Sequence, residues 1–232
     1  MLLENVFLLA YVFGLVLSIA HLLSDALSKK FTKHRGWLVS FVAGLSVAYL
    51  FLELFPLLLD FGGGKLAFLF VLGGFFLFFV FETLIYQHGS VRIIARELTW
   101  LHGFGFFVYY FVFGMLLVYF LGQGLERALL LLIPAVLYAL VGRVSFFHVH
   151  ADLKESFWMK AALVLSPLLG VLFGGGVFLP RGAWYGLLGF LVGGLSYVVI
   201  RDSLPGEREG HLGVFSLGVV LYTFLILMLW VL

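Results

Sequence analysis

The chain has 232 residues, of which 63% are hydrophobic and only 11% are charged, and its mean hydropathy is +1.16. Soluble domains carry about 25% charged residues, so this composition indicates a polytopic membrane protein whose main partner is the lipid bilayer. The formal net charge of +2 is too small to favour nucleic acid as a partner. The absence of cysteine excludes disulfides and thiolate metal sites.

The charged and Gly/Pro-rich breaks divide the chain into eight apolar segments. A bilayer core is about 30 Å thick and needs roughly 20 helical residues to cross. The sequence therefore predicts an all-α fold, with eight transmembrane helices in one transmembrane domain that covers residues 1–232 and no soluble domain. The predicted spans are residues 4–24, 37–59, 65–86, 98–121, 126–147, 157–179, 183–201 and 211–232.

The distribution of positive charge predicts the orientation of these spans. Cytoplasmic connections retain Lys and Arg. The connections after spans 1, 3, 5 and 7, with the nearby helix ends, hold eleven such residues, whereas the other side holds only Lys65, Arg127 and Arg181. We therefore expect both termini to lie outside.

One stretch of the sequence occurs twice. Residues 41–56 read FVAGLSVAYLFLELFP and residues 190–205 read FLVGGLSYVVIRDSLP, so an offset of 149 places Glu53 on Asp202 and Pro56 on Pro205. The charge distribution puts these two acids on opposite faces, which predicts an inverted repeat of spans 1–3 and 6–8 with spans 4 and 5 between them, a 3+2+3 arrangement. Chance is the alternative, because Gly, Leu and Phe are frequent, but the matched acid and proline are rare residues here.

These stretches, together with SPLLGVLFGGG at the end of span 6, resemble the ZIP (Zrt/Irt-like) family of divalent metal transporters, in its divergent prokaryotic branch. The resemblance covers spans 2 and 6–8 by sequence, and spans 1 and 3 by position. It implies the 3+2+3 bundle, a location in the prokaryotic plasma (inner) membrane, and a divalent metal ion such as zinc that moves inward between spans 4 and 5. It implies no enzyme activity.

Spans 4 and 5 depart from the pattern of that family. Span 4 reads LHGFGFF, which keeps His102 but places Phe106 and Phe107 where the family has an acid and a glycine. Span 5 has no acid and instead carries Arg143 and Ser145. Because a divalent ion needs three or four N/O ligands, and a nearby guanidinium repels it, the binuclear metal centre of the family is not encoded. Arg143 either replaces the missing metal, binds an anionic group, or extends to the cytoplasmic headgroups.

The candidate site residues follow from polar groups within the spans. An ionisable residue in a span is a functional hypothesis by default, although for Glu53 the alternative is a helix end before Pro56. Candidates for the transport pathway are His102, Glu53, Arg143, Ser145 and Asp202. Low-ranked candidates for metal ligands are His102, His148, His150 and Asp152. On a continuing helix His150 would point away from the other two residues of its group, so that group needs an unwound helix end to chelate an ion.

The preferred hypothesis is a ZIP-like transporter, for a divalent metal ion as substrate, with a non-standard site between spans 4 and 5 and no other cofactor. The alternative is a non-transporting ZIP-like scaffold or accessory membrane protein that has lost the binuclear centre. An intramembrane zinc hydrolase is disfavoured, because no two histidines have the His-x-x-x-His spacing. Glycine-rich helix faces are compatible with a homodimer.

Overall fold

The structure is a computed structural model, and it describes residues 2–30, 35–60, 64–88, 91–149, 157–203 and 210–231. These residues form eight helices and no strand. In chain order the helices are α1 (Leu2–Lys30), α2 (residues 35–60), α3 (Gly64–His88), α4 (Val91–Leu121), α5 (Leu125–Val149), α6 (Phe157–Gly176), α7 (residues 181–203) and α8 (Leu212–Val231).

The predicted all-α class is confirmed, and the helices are those of a multi-pass membrane protein. Six segments of the described residues are long and apolar enough to cross a bilayer: Val6–Ser24, Gly36–Asp60, Gly64–Gln87, Gly103–Leu121, Phe157–Gly176 and Gly182–Arg201. Only 11% of the α3 segment is buried inside the protein. A helix that is apolar on all sides, yet unburied, matches a lipid environment.

Helices α2 and α7 each contain a π-helical turn. The first turn covers Leu50–Leu54 and leads into the short helical end Phe55–Asp60, and the second covers Val199–Ser203. The N–H of Phe55 bonds to the carbonyl of Leu50, five residues back. A proline ring clashes with the carbonyl four residues before it, so the widened turn accommodates Pro56. The two π-turns begin 149 residues apart.

The helices pack as two groups of four. In the first group α4 lies along α6, while α1 packs against α4, α5 and α6. In the second group α3 lies along α7, and α2 lies along α8. The two groups meet where α2 contacts α5, and where α4 contacts α3 and α7.

Glycines bring the helices of the second group into backbone contact. A Cβ on Gly44 of α2 would collide with the carbonyl oxygen of Phe215 in α8. A Cβ on Gly193 of α7 would collide in the same way with the carbonyl oxygen of Val71 in α3. Apolar tails of lipid offer no hydrophobic drive for helix association, so close approach at small residues supplies the packing energy.

Each crossing is completed by a glycine on the other helix. Gly218 of α8 meets the carbonyl oxygen of Phe41, and Gly74 of α3 meets that of Phe190. The offset of 149 that relates the two π-turns also relates Phe41 to Phe190. The α2/α8 and α3/α7 crossings therefore match residue by residue.

Contacts along the crossings give the helix directions. The backbone N–H of His211 donates to Oγ of Ser40 at 3.2 Å, and the ring of Tyr222 lies 5.9 Å from that of Tyr49, so α2 and α8 are parallel. In the same way α3 and α7 are parallel, since Gly189 approaches Ala67 and Tyr197 bonds to Glu82 further along. Residues 35–49 of α2 contact the π-turn that ends α7, whereas residues 55–60 of α2 contact the part of α7 before that turn. It follows that α2 runs opposite to α7.

Candidate functional site

A polar pocket lies where α2 ends, α5 begins and α8 ends. Its volume is about 290 Å³. We call it the Glu53 pocket, and it is lined by Leu52, Glu53, Pro56, Leu57, Asp60, Glu126, Arg127, Leu130 and Trp230. Three carboxyl groups and one guanidinium thus face a single cavity. The lining is contributed by three helices that are far apart in the sequence.

Glu53 reaches this pocket from the π-turn of α2. Positions 53, 56, 57 and 60 of α2 all line the cavity, so one face of the helix forms its wall. Glu126 and Arg127 come from the first turn of α5, where Nη1 of Arg127 donates to Oε1 of Gln123 at 2.7 Å. Glu53 is predicted as a site residue from the sequence, whereas Asp60, Glu126 and Trp230 are not. Their closeness arises only from the packing of helix ends.

Two tyrosines lie directly beneath the Glu53 pocket. The hydroxyl of Tyr222 donates to the carbonyl oxygen of Leu130, a pocket residue, at 3.0 Å. The ring of Tyr49 meets Tyr222 edge-on at 85°. Tyr49 is 1% exposed, and its hydroxyl has no hydrogen-bond partner among the described residues. Leaving a buried hydroxyl unbonded costs about 1–3 kcal/mol, and Tyr49 itself is not among the residues that line the pocket.

The interface of α4 with α5 and α7 is aromatic where it is described. Phe106 stacks on Tyr110 with ring centroids 6.4 Å apart, and Tyr138 of α5 belongs to a buried cluster with Tyr197. The cavity among Phe106, Tyr138 and their neighbours Phe78, Gly105, Tyr109, Gly194, Leu195 and Val198 measures about 20 Å³. That space holds roughly one water molecule. Aromatic side chains therefore occupy the position where the family resemblance implies an acid.

Phe107 occupies the next position of α4 and points to a different neighbour. Its ring stacks on Phe111 at 6.2 Å, and Phe111 in turn contacts Phe173 of α6. Neither Phe106 nor Phe107 can bind a cation through oxygen or nitrogen. Among the residues whose side chains are described, no three of His, Cys, Asp or Glu come together in a way that could hold a metal ion.

Most of the other predicted site residues lie outside the described side chains. The backbone of His102 is in α4, those of Arg143, Ser145 and His148 are in α5, and that of Asp202 is in the π-turn of α7. Nothing about their side chains is described, so their roles stay predictions. His150 and Asp152 lie outside the described residues altogether.

A buried carboxylate joins α3 to α7 at the end of their crossing. Glu82 is 4% exposed. Its Oε2 accepts a hydrogen bond from the Tyr197 hydroxyl at 2.5 Å, and its Oε1 accepts one from Nε of Arg201 at 3.2 Å. The guanidinium also lies 6.0 Å from the ring centroid of Tyr86. We call Glu82, Tyr197 and Arg201 the Glu82 cluster, in which both oxygens of a buried charge are paired, as burial requires.

The sequence contains a signal for this cluster. Glu82 is an acid inside an apolar helix, and Tyr197 and Arg201 are four residues apart, on one face of α7. The pairing itself could not be read from the sequence, because 115 residues separate Glu82 from Tyr197.

Fold and site together define a polytopic α-helical membrane protein with a polar pocket at one end of the bundle. No protein-family model matches the chain, and no curated protein matches it either.

Proposed function

We propose that the chain is a ZIP-like membrane transporter, built as an inverted repeat, that moves a divalent metal ion across the prokaryotic plasma membrane. The observation that carries this proposal is the residue-by-residue match between the α2/α8 and α3/α7 crossings. Inverted repeats of this kind are a recurrent construction of secondary transporters.

The relation between the halves is supported by direction as well as by spacing. Helix α2 runs opposite to α7, and their π-turns begin 149 residues apart. An inverted repeat that exchanges α1–α3 with α6–α8 also exchanges α4 with α5. The packing of α4 against α6 then corresponds to the packing of α5 against α1, and both contacts are present. These correspondences favour a 3+2+3 arrangement. The excess of Lys and Arg after odd-numbered helices favours termini on the outside.

The Glu53 pocket is the proposed entrance for the ion. In the proposed orientation it opens outward, and its carboxyl groups outnumber its single guanidinium. Carboxylates concentrate cations at such a mouth by electrostatic attraction. Beyond the mouth, the route is proposed to pass His102 and Ser145 between α4 and α5, and to reach the inner face near Asp202. Arg143, His148, His150 and Asp152 remain candidates along its inner part.

Uptake into proteoliposomes tests the proposal. We expect wild-type protein to take up Zn²⁺ faster than empty liposomes do. We expect Glu53→Gln and His102→Ala each to lower that rate about tenfold, a loss equivalent to about 1.4 kcal/mol. The matched control is Lys65→Gln, which changes an exposed charge near the same end of the bundle but outside the pocket. Wild-type uptake equal to that of empty liposomes would contradict transport of this ion.

A second candidate function is a non-transporting ZIP-like scaffold or accessory membrane protein, acting alone or as a homodimer. It is favoured by the aromatic packing of Phe106, Tyr110 and Tyr138, beside which a cavity of about 20 Å³ lies among α3, α4, α5 and α7. If Zn²⁺, Mn²⁺ and Fe²⁺ all fail to enter while the protein stays folded in the liposomes, this second function is preferred.

A further inference from the structure

We propose that the Glu82 cluster is a latch, which keeps the end of the bundle opposite to the Glu53 pocket closed and releases it when Arg201 leaves Glu82. The inference rests on the proposed function, because a transporter opens the two ends of its bundle in turn. Three features of the described residues support it: the repeat, the position of the cluster relative to the α3/α7 crossing, and the π-turn that carries Arg201.

The two crossings give the offset that relates α3 to α8. Gly74 of α3 corresponds to Gly218 of α8, since each meets the equivalent carbonyl oxygen of its partner helix, and these glycines are 144 residues apart. Val71 and Phe215, whose carbonyl oxygens face the equivalent glycines of α7 and α2, are separated by the same number. Positions on α3 and α8 can therefore be compared directly, as positions on α7 and α2 can with the offset of 149.

The two ends of the bundle differ at equivalent positions. Leu52 and Trp230 line the Glu53 pocket, and the offsets place them on Arg201 and Tyr86. At that other end the guanidinium of Arg201 lies 6.0 Å from the ring centroid of Tyr86, and its Nε donates to Glu82 at 3.2 Å. Side chains that face a cavity of about 290 Å³ at one end thus correspond to side chains that contact one another at the opposite end.

The polar groups of the latch are present in one half of the repeat. Glu82 corresponds to Ile226, and Tyr197 corresponds to Ala48. Both apolar counterparts are buried, so the α2/α8 crossing is completed without charge. Replacing a buried ion pair by apolar residues often leaves stability unchanged or improves it. The stability of the bundle therefore does not by itself account for an ion pair at one end, whereas a contact that has to open does.

The latch lies beyond a close crossing that can act as a pivot. Gly74 and Gly193 bring the backbones of α3 and α7 into contact. Glu82 follows Gly74 by eight residues, which corresponds to roughly 12 Å along α3. A change of crossing angle at the glycines therefore separates Glu82 from Arg201 while the backbones stay in contact. The bonds of the latch oppose that change.

The bond between Arg201 and Glu82 is the part of the cluster that can open. Arg201 is the third residue of the π-turn Val199–Ser203, and π-turns are points at which helices bend. The side chain of Arg201 is 52% exposed, whereas that of Glu82 is 6% exposed. Water can therefore solvate the guanidinium as it leaves, while the hydrogen bond from Tyr197 still holds the carboxylate.

Thiol labelling of the full-length protein in detergent tests the latch, because the chain has no cysteine of its own. Val198→Cys places a thiol at a buried position three residues before Arg201. Val192→Cys is the matched control, since it is a buried valine of the same helix at the level of the glycine crossing. The rate of reaction with a water-soluble maleimide reports how often water reaches each thiol. Both rates are measured with and without Arg201→Gln.

We expect Arg201→Gln to raise the labelling rate of Val198→Cys about tenfold, because loss of a hydrogen bond to a charged group shifts an equilibrium between two states by about that factor. Glu82→Gln should act in the same way. Arg201→Lys keeps the charge and should raise the rate less, and it carries the test if the glutamine variants do not fold. Val192→Cys should label slowly in every background, because the pivot stays closed.

Equal labelling of Val198→Cys with and without the substitutions at Arg201 would overturn the inference. An equal increase at Val192→Cys would also overturn it, because the cluster would then stabilise the whole bundle rather than one end. These results are separable from those for the proposed function, since labelling needs no metal ion. A latch without Zn²⁺ uptake rejects only the cargo, whereas Zn²⁺ uptake with unchanged labelling rejects only the latch.

Discussion

Gly74→Ala is expected to lower the stability of the protein by about 1–3 kcal/mol, the usual cost of inserting a methyl group where there is no room. The new Cβ would collide with the carbonyl oxygen of Phe190 and would lie 3.1 Å from the backbone nitrogen of Gly194. Both obstacles are backbone atoms, so no rotamer change relieves the contact and α3 has to move away from α7. A thermal melt in detergent should show a midpoint roughly 5 °C lower.

The neighbouring glycine provides the control for this experiment. A Cβ on Gly73 would have no described atom within 4 Å, because it faces away from α7. Gly73→Ala adds the same methyl group to the same helix, one residue earlier. We expect it to leave the midpoint unchanged or to raise it slightly, since alanine favours the helix. Equal midpoints for the two variants would show that the α3/α7 crossing is not as close as described.

The other crossing extends the comparison to the repeat. Gly44 and Gly193 occupy equivalent positions and meet equivalent carbonyl oxygens, those of Phe215 and Val71. Their alanine variants should therefore lower the midpoint by similar amounts. A large difference between them would contradict the equivalence of the two crossings.

The helices could be predicted from the sequence because their ends are marked by charges, Gly and Pro. The third span, for example, is predicted as residues 65–86 and observed as Gly64–His88. The offset of 149 was also visible, because an acid and a proline are rare enough in this chain to be informative. The pairing of the helices was not visible. Lipid-facing and buried faces are both apolar here, so the hydrophobic pattern does not indicate which face meets a neighbour.

The candidate site was predictable only in part, for a related reason. Glu53 stood out as an acid within an apolar helix. Asp60 and Glu126 did not, because each lies near a helix end, where a charged residue is ordinary. The pocket exists because α2, α5 and α8 place those ends together. The resemblance to the ZIP family predicts a site between α4 and α5, where the described side chains are aromatic.

The second large effect is expected in the Glu82 cluster. Arg201→Leu removes the positive partner of a carboxylate that is 4% exposed, and Tyr197→Phe removes its hydroxyl donor. Each change leaves one oxygen of Glu82 without its bond. Losing a hydrogen bond to a buried charged group costs about 1.5–3 kcal/mol. Arg201 is itself half-exposed, so water replaces part of its contribution, and we expect Tyr197→Phe to be at least as costly as Arg201→Leu.

A double variant separates the loss of an interaction from the isolation of a charge. If the cost of Arg201→Leu arises because Glu82 is left buried and unpaired, then adding Glu82→Leu should restore stability, since an apolar pair of similar volume often equals a buried ion pair. Thermal melts of the two single variants and the double variant measure this. A double variant less stable than Arg201→Leu alone would mean that Glu82 contributes through its other contacts. In that case the carboxylate holds the π-turn of α7 mainly through Tyr197.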